Sequence, residues 1–396
     1  MSGIGNFYRG AAYAAAFIGS ASPGASAAQA DNERVLYSFT GQADGQQPWA
    51  GVTFDSAGNL YGVVPYAGTS PNCGPSGCGN IYKITPDGSF SVLHNFNWDD
   101  GANPASELVR DKKTGDFYGS TNAGGANGAG TIFKFTPDST LTTLYSFGGG
   151  ADGYIPEGRL VRDRHGNIYG TTYAGGADSM GVVYKLSAKG KQTVLHSFAG
   201  GANDGAFPTN AGLAMDASGN LYGMTQFGGT SDWGTLYKVA RDGTFTLLHS
   251  FTGNTDGRYP AAGLAIDKSG TLYGTTQGGG GSNSCTYGCG TVFKAAPDGT
   301  LTILHAFAGG ADGANPLSTP LLTKSGKLYG TTNDGSKGTV FKLKTDGTEF
   351  VLHTFGGAGD GFEPEAGVTR DDAGNLYGTT NLGGASGLGA VYTLRK

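Results

Sequence analysis

Seven aspartates recur at one spacing. Asp44, Asp100, Asp152, Asp204, Asp256, Asp312 and Asp360 are each followed by glycine and, four positions on, by proline, from Pro48 to Pro364. A ring of carboxylates could hold Ca²⁺ or meet a polar ligand. The same string describes an Asx-type turn, in which the carboxylate accepts backbone N–H groups and proline sets the return of the chain. The string comes with every repeat, and the dense Asp-x-Asp-x-Asp spacing of a calcium loop is missing. The turn is therefore the expected role, with Ca²⁺ as the alternative, and no cofactor or metal is expected.

Other reactive side chains are also locked to the repeat. His94, His196, His249, His305 and His353 share a slot that holds Tyr37 and Tyr145 in the other copies. A slot that takes either ring wants a planar group with a polar edge, which is a packing demand. No nucleophile-elbow, phosphate-loop or HExxH string is present, so no catalytic residue is assigned and an enzyme is the less expected class.

The aromatic residues that break the repeat are better candidates. Trp98, Tyr154, Trp233 and Tyr259 head a set of loop aromatics that includes Trp49, Tyr173, Phe207, Phe227, Tyr287 and Phe362, with Arg258, Asn315 and Glu363 beside them. Rings next to amides and carboxylates suit flat polar ligands such as sugars, and also protein surfaces.

Repeated strands must position these groups. Leu-Tyr/His-x-Phe ends at Phe39, Phe96, Phe147, Phe198, Phe251, Phe307 and Phe355. An apolar-Tyr-Gly string and an apolar-aromatic-Lys string recur as often. Each unit holds four strand-like runs, with Asp-x-x-Gly-Asn between the first two and Asp-Gly between the last two. Antiparallel four-stranded units at a period of about 50 residues are propeller blades. The last unit stops after its third run, and a lone fourth run stands at Arg34–Phe39. The expected fold is an all-β, seven-bladed β-propeller in which the N-terminal strand completes the last blade and removes the open edge. Connections between runs two and three, and the crossovers between blades, then share one face. They are the long loops, where function usually resides.

Composition agrees. Glycine supplies 74 of 396 residues, without the every-third-position rule of collagen. Hydrophobics at 38 % can build a core, and a net charge of −5 argues against nucleic-acid binding. Residues 1–30 read as an export signal, with Arg9, an Ala-rich apolar stretch and Ala28-Gln29-Ala30, leaving 31–396 as one domain. No later stretch is long enough for a membrane span. Cys73 with Cys78, and Cys285 with Cys289, suit two local disulfides in an oxidising compartment. A periplasmic or extracellular monomer is expected.

Gly-Thr-Val-Phe-Lys (290–294), Pro-Asp-Gly-Thr (297–300) and Gly-Asn-Leu-Tyr-Gly-Thr-Thr (374–380) resemble the GloVer-type tandem-repeat proteins of exported bacterial origin, over essentially residues 34–396. The resemblance implies repeat architecture and export, and no set activity. Asp-x-x-Gly-Asn-Leu-Tyr is also similar, over one hairpin per blade, to NHL-type and gluconolactonase-like propellers. Three functions follow as expectations. The first is a binding scaffold for a glycan, cell-wall polymer or extracellular protein on the long-loop face. The second is a metal-assisted lactonase or lyase using channel residues such as Glu107, Arg159 and Glu365. The third is a purely structural surface protein.

Overall fold

The computed structural model describes residues 33–396, apart from 69, 209–211, 335–336 and 357–358. The expected export signal at 1–30 lies outside the described residues. Among the described residues no helix is long and apolar enough to cross a membrane.

The chain forms seven antiparallel blades around one axis. The fourth blade shows the plan: Ala214–Met215, Leu221–Thr225, Thr235–Val239 and Phe245–Ser250, from the axis outward. The ring closes as expected. Glu33–Ser38 pairs with Ala390–Leu394, placing Glu33 opposite Leu394 and Ser38 opposite Ala390. Each ladder hydrogen bond there replaces an exposed strand edge.

The hydrophobic core lies between blades. The Phe that ends each outer strand is buried and meets the third-strand aromatic of the next blade. The pairs are Phe39–Tyr82, Phe96–Phe133, Phe147–Tyr184, Phe198–Tyr237, Phe251–Phe293, Phe307–Phe341 and Phe355–Tyr392, with ring centroids 5.0–5.6 Å apart. The steep ring-to-ring angles put the positive edge of one ring on the face of the other. One joint, Phe39–Tyr82, runs from the closing blade to the first, so the ring is packed as uniformly at its seam as elsewhere.

This joint explains the Tyr-Gly string. Gly223 lies opposite Tyr237 in the ladder. A Cβ on Gly223 would overlap the Tyr237 ring and stand 2.9 Å from Leu213 Cδ2. The glycine is there for close approach, since its backbone is ordinary strand. Gly290, which opens Gly-Thr-Val-Phe-Lys, has two reasons: φ is +95°, and a Cβ would meet Pro316 Cδ of the next crossover at 2.6 Å.

Candidate binding face

The two faces of the disc have different chemistry. On the tight-turn face, Asp216 accepts from the backbone N–H of Ser218 and Asn220, from Asn220 Nδ2 and from Tyr222 Oη. Burial alone would raise the Asp216 pKa; these hydrogen bonds outweigh it and hold the carboxyl below its ordinary value. The tyrosine of the Tyr-Gly string thus reaches back to the turn that precedes its strand. A cavity of about 360 Å³ on this face, between the third and fourth blades, is lined by Arg162, Arg164, His165 and Arg241.

On the other face the crossovers meet the connections between second and third strands. Each of the seven recurring aspartates bonds the outer-strand ring of its own blade. Tyr37 Oη donates to Asp44 and Tyr145 Oη to Asp152, at 2.9 and 2.8 Å. His94, His196, His249, His305 and His353 meet Asp100, Asp204, Asp256, Asp312 and Asp360 at 2.9–3.3 Å. A β-bulge in the outer strand, as at Leu144, turns the ring toward the crossover. Asp44 also accepts from Thr40 N–H, Thr40 Oγ1 and Gln42 N–H, which uses most of its lone-pair capacity. Burial, the hydrogen bond to Asp152 and its charge push the Tyr145 hydroxyl up to about 12. The aspartates therefore sit at the outer rim, each engaged within its blade, and do not converge on the axis.

The residue before each crossover proline is the feature that sequence reasoning missed. Gln47, Asn103, Ile155, Phe207, Tyr259, Asn315 and Glu363 all have φ between +53° and +57°. Only asparagine takes this region readily; for Ile155 it is a strained conformation. Each is held from the preceding blade. Phe207 N–H donates to Met180 O, Tyr259 N–H to Trp233 O and Glu363 N–H to Lys337 O. The carbonyls of Phe207, Tyr259, Asn315 and Glu363 accept from the residue that follows the second strand, as Tyr259 O does from Gln277 N–H. Seven blade-specific side chains are thereby fixed at equivalent places on the long-loop face. Asn103 and Asn315 were the available signal for a left-handed position.

Across the third to fifth blades these positions join other loop aromatics into an arc. Tyr173 meets Phe207 at 5.1 Å, Phe207 meets Phe227 at 6.2 Å, Phe227 meets Tyr259 at 5.5 Å, and Tyr259 meets Trp233 at 5.1 Å. Arg258 lies over Trp233 at 4.9 Å and over Tyr287 at 5.1 Å, with its Nε–H donating to Tyr287 O. Tyr287 is 58 % exposed and the other rings of the arc are half-buried. Of the four residues singled out from sequence, the structure brings Trp233 and Tyr259 together. Trp98 sits in the crossover between the first and second blades and is 40 % exposed. Tyr154 heads the inner strand of the third blade and packs against its hydrophobic cluster.

The axis holds a cavity of about 390 Å³, lined by residues of the innermost strands including Glu107, Arg159, Ser318 and Glu365. Glu107 is paired with Arg159 at 3.4 Å and accepts from Thr53 Oγ1. Asn122 donates to Glu157, and Asn381 to Glu365. The four cysteines form Cys73–Cys78 and Cys285–Cys289 disulfides in two connections of the long-loop face.

No curated protein matches the chain in sequence. Among solved structures, the extracellular domain of a candidate hybrid two-component system from Bacteroides thetaiotaomicron aligns with TM-score 0.60 and 12 % identity, covering 92 % of this chain and 40 % of that one. A candidate 6-phosphogluconolactonase from Bacteroides uniformis aligns with TM-score 0.51 and 17 % identity, covering 77 % and 84 %. A Lactobacillus plantarum protein aligns with TM-score 0.51 and 16 % identity, covering 80 % and 86 %. At such identities the likeness is one of fold. The repeat itself is more specific: the profile of the Gloeobacter/Verrucomicrobia repeat matches residues 65–287 and 282–396, and the chain belongs to that family.

Proposed function

We propose that this chain is an exported binding scaffold that takes a carbohydrate polymer on its long-loop face, across the third to fifth blades. The observation that carries this reading is the arc from Tyr173 to Tyr287. Its rings brace one another and each keeps part of its surface exposed, so stacking a pyranose against them costs little side-chain entropy. Gln226 and Gln277 follow the second strands beside the arc and bring amides suited to sugar hydroxyls. A rigid ring of blades suits a repetitive ligand, because neighbouring subsites keep a fixed spacing. Export is supported by the two disulfides, which persist in oxidising compartments. In this reading the seven aspartates shape the crossovers and take no part in the ligand. The test is retention of the purified protein in gels cast with soluble polysaccharides: wild type is slowed by at least one of them, and W233A is slowed less.

A further inference from the structure

One of the ring–aspartate pairs departs from the others. The outer-strand ring of each blade faces the first residue of the next blade's outer strand. Phe90 stacks on Tyr37 and Phe245 on His196, both at 3.8 Å. Leu141, Gln192 and Leu301 begin the corresponding strands elsewhere. At the joint between the fifth and sixth blades the residue is Glu349. One ligand atom from each of His305, Asp312 and Glu349 lies within 4.8 Å of the other two, the one such convergence among the described residues. Glu33 begins the outer strand of the closing blade without completing a second such triad.

We propose that His305, Asp312 and Glu349 bind a divalent transition-metal ion, with Zn²⁺ the best match. One imidazole and two carboxylates make a mixed N/O set, and three protein ligands leave a fourth position for water or a ligand group. Bonds of about 2.0–2.2 Å in a tetrahedron place ligand atoms about 3.3–3.6 Å apart; His305 Nε2 and Asp312 Oδ1 already stand 3.2 Å apart. Asp312 Oδ2 is held by the N–H of Ala308, which fixes the carboxylate. Glu349 Oε1 is buried and has no hydrogen-bond partner among the described residues, which leaves one oxygen of the cluster unsatisfied. Ca²⁺ fits less well, because it wants six to eight oxygens. An ion here would tie the outer strand and crossover of the fifth blade to the outer strand of the sixth, at a place where five of the other joints carry a hydrophobic or amide side chain. The triad shares no residue with the aromatic arc, so it stands or falls independently of the carbohydrate reading.

Calorimetric titration of the chelator-stripped full chain with ZnCl2, paired with thermal melts, tests this. Wild type should take up one equivalent and melt higher with zinc. E349F and H305Y place residues that other blades already carry there, and should bind at least ten-fold more weakly while melting no lower than stripped wild type. H196Y should bind as wild type. If E349F fails to fold, E349Q replaces it with nearly the same shape. No uptake by wild type, or equal uptake by the Glu349 variant, would overturn the proposal.

Discussion

Tyr145 Oη donates to Asp152 Oδ2 at 2.8 Å, and in the next blade His196 Nε2 holds Asp204 Oδ1 from the same slot at 3.0 Å. Two different rings do one job because both present an N–H or O–H at the same reach. Y145H should therefore cost less than about 1 kcal/mol. D152A should cost about 1–3 kcal/mol, since it strips the acceptor from both the tyrosine and the Gly148 N–H. Denaturant midpoints of the two variants check this; equal losses would mean that the pair is incidental.

Tyr237 is fully buried, and its hydroxyl finds no hydrogen-bond partner among the described residues. Phe293 and Phe341 fill the same place in other blades without a hydroxyl. Y237F should leave the melting temperature unchanged or raise it, because an unpaired buried hydroxyl is removed. G223A should lower it by several degrees, because the new methyl has no room beside that ring. A stable G223A would refute the close-approach account of the Tyr-Gly string.

Much of this scaffold was legible because it repeats. Seven copies of Leu-Tyr/His-x-Phe gave the blade count, and the lone copy at Arg34–Phe39 gave the closure. The candidate site was less legible, for a physical reason. Tyr259 and Trp233 lie 26 positions apart in the chain, and only the left-handed backbone before Pro260 swings one ring onto the other. Backbone handedness leaves little trace when the residue is Tyr, Phe or Ile. Glu349 was hidden differently. Its meaning lies in contrast with Phe90 and Phe245, and those residues become its counterparts only once blade packing is known.

Glu349 also gives a pH signature in metal-free protein. Its folded pKa, about 7, exceeds its ordinary 4.5, chiefly through burial. Between those values the folded chain keeps a proton that the unfolded chain has released, so stability falls as pH rises through that window. The full shift corresponds to about 3 kcal/mol, and solvent screening at this partly exposed group reduces it to about 1–2 kcal/mol. Unfolding of wild type and E349Q compared at pH 4.5 and 7.5 should show wild type losing ground by that amount. Parallel profiles would contradict it.

The central claim is that the arc of the third to fifth blades binds carbohydrate, and a polysaccharide microarray probed with four proteins tests it most directly. The proteins are wild type, W233A, Y259N and W98A. Asparagine is chosen at position 259 because Asn103 and Asn315 already hold that left-handed backbone. The account predicts binding by wild type to at least one polymer, a loss of ten-fold or more in W233A and Y259N, and little change in W98A. Wild-type binding that survives in both arc variants, or no polysaccharide binding by wild type at all, would contradict it.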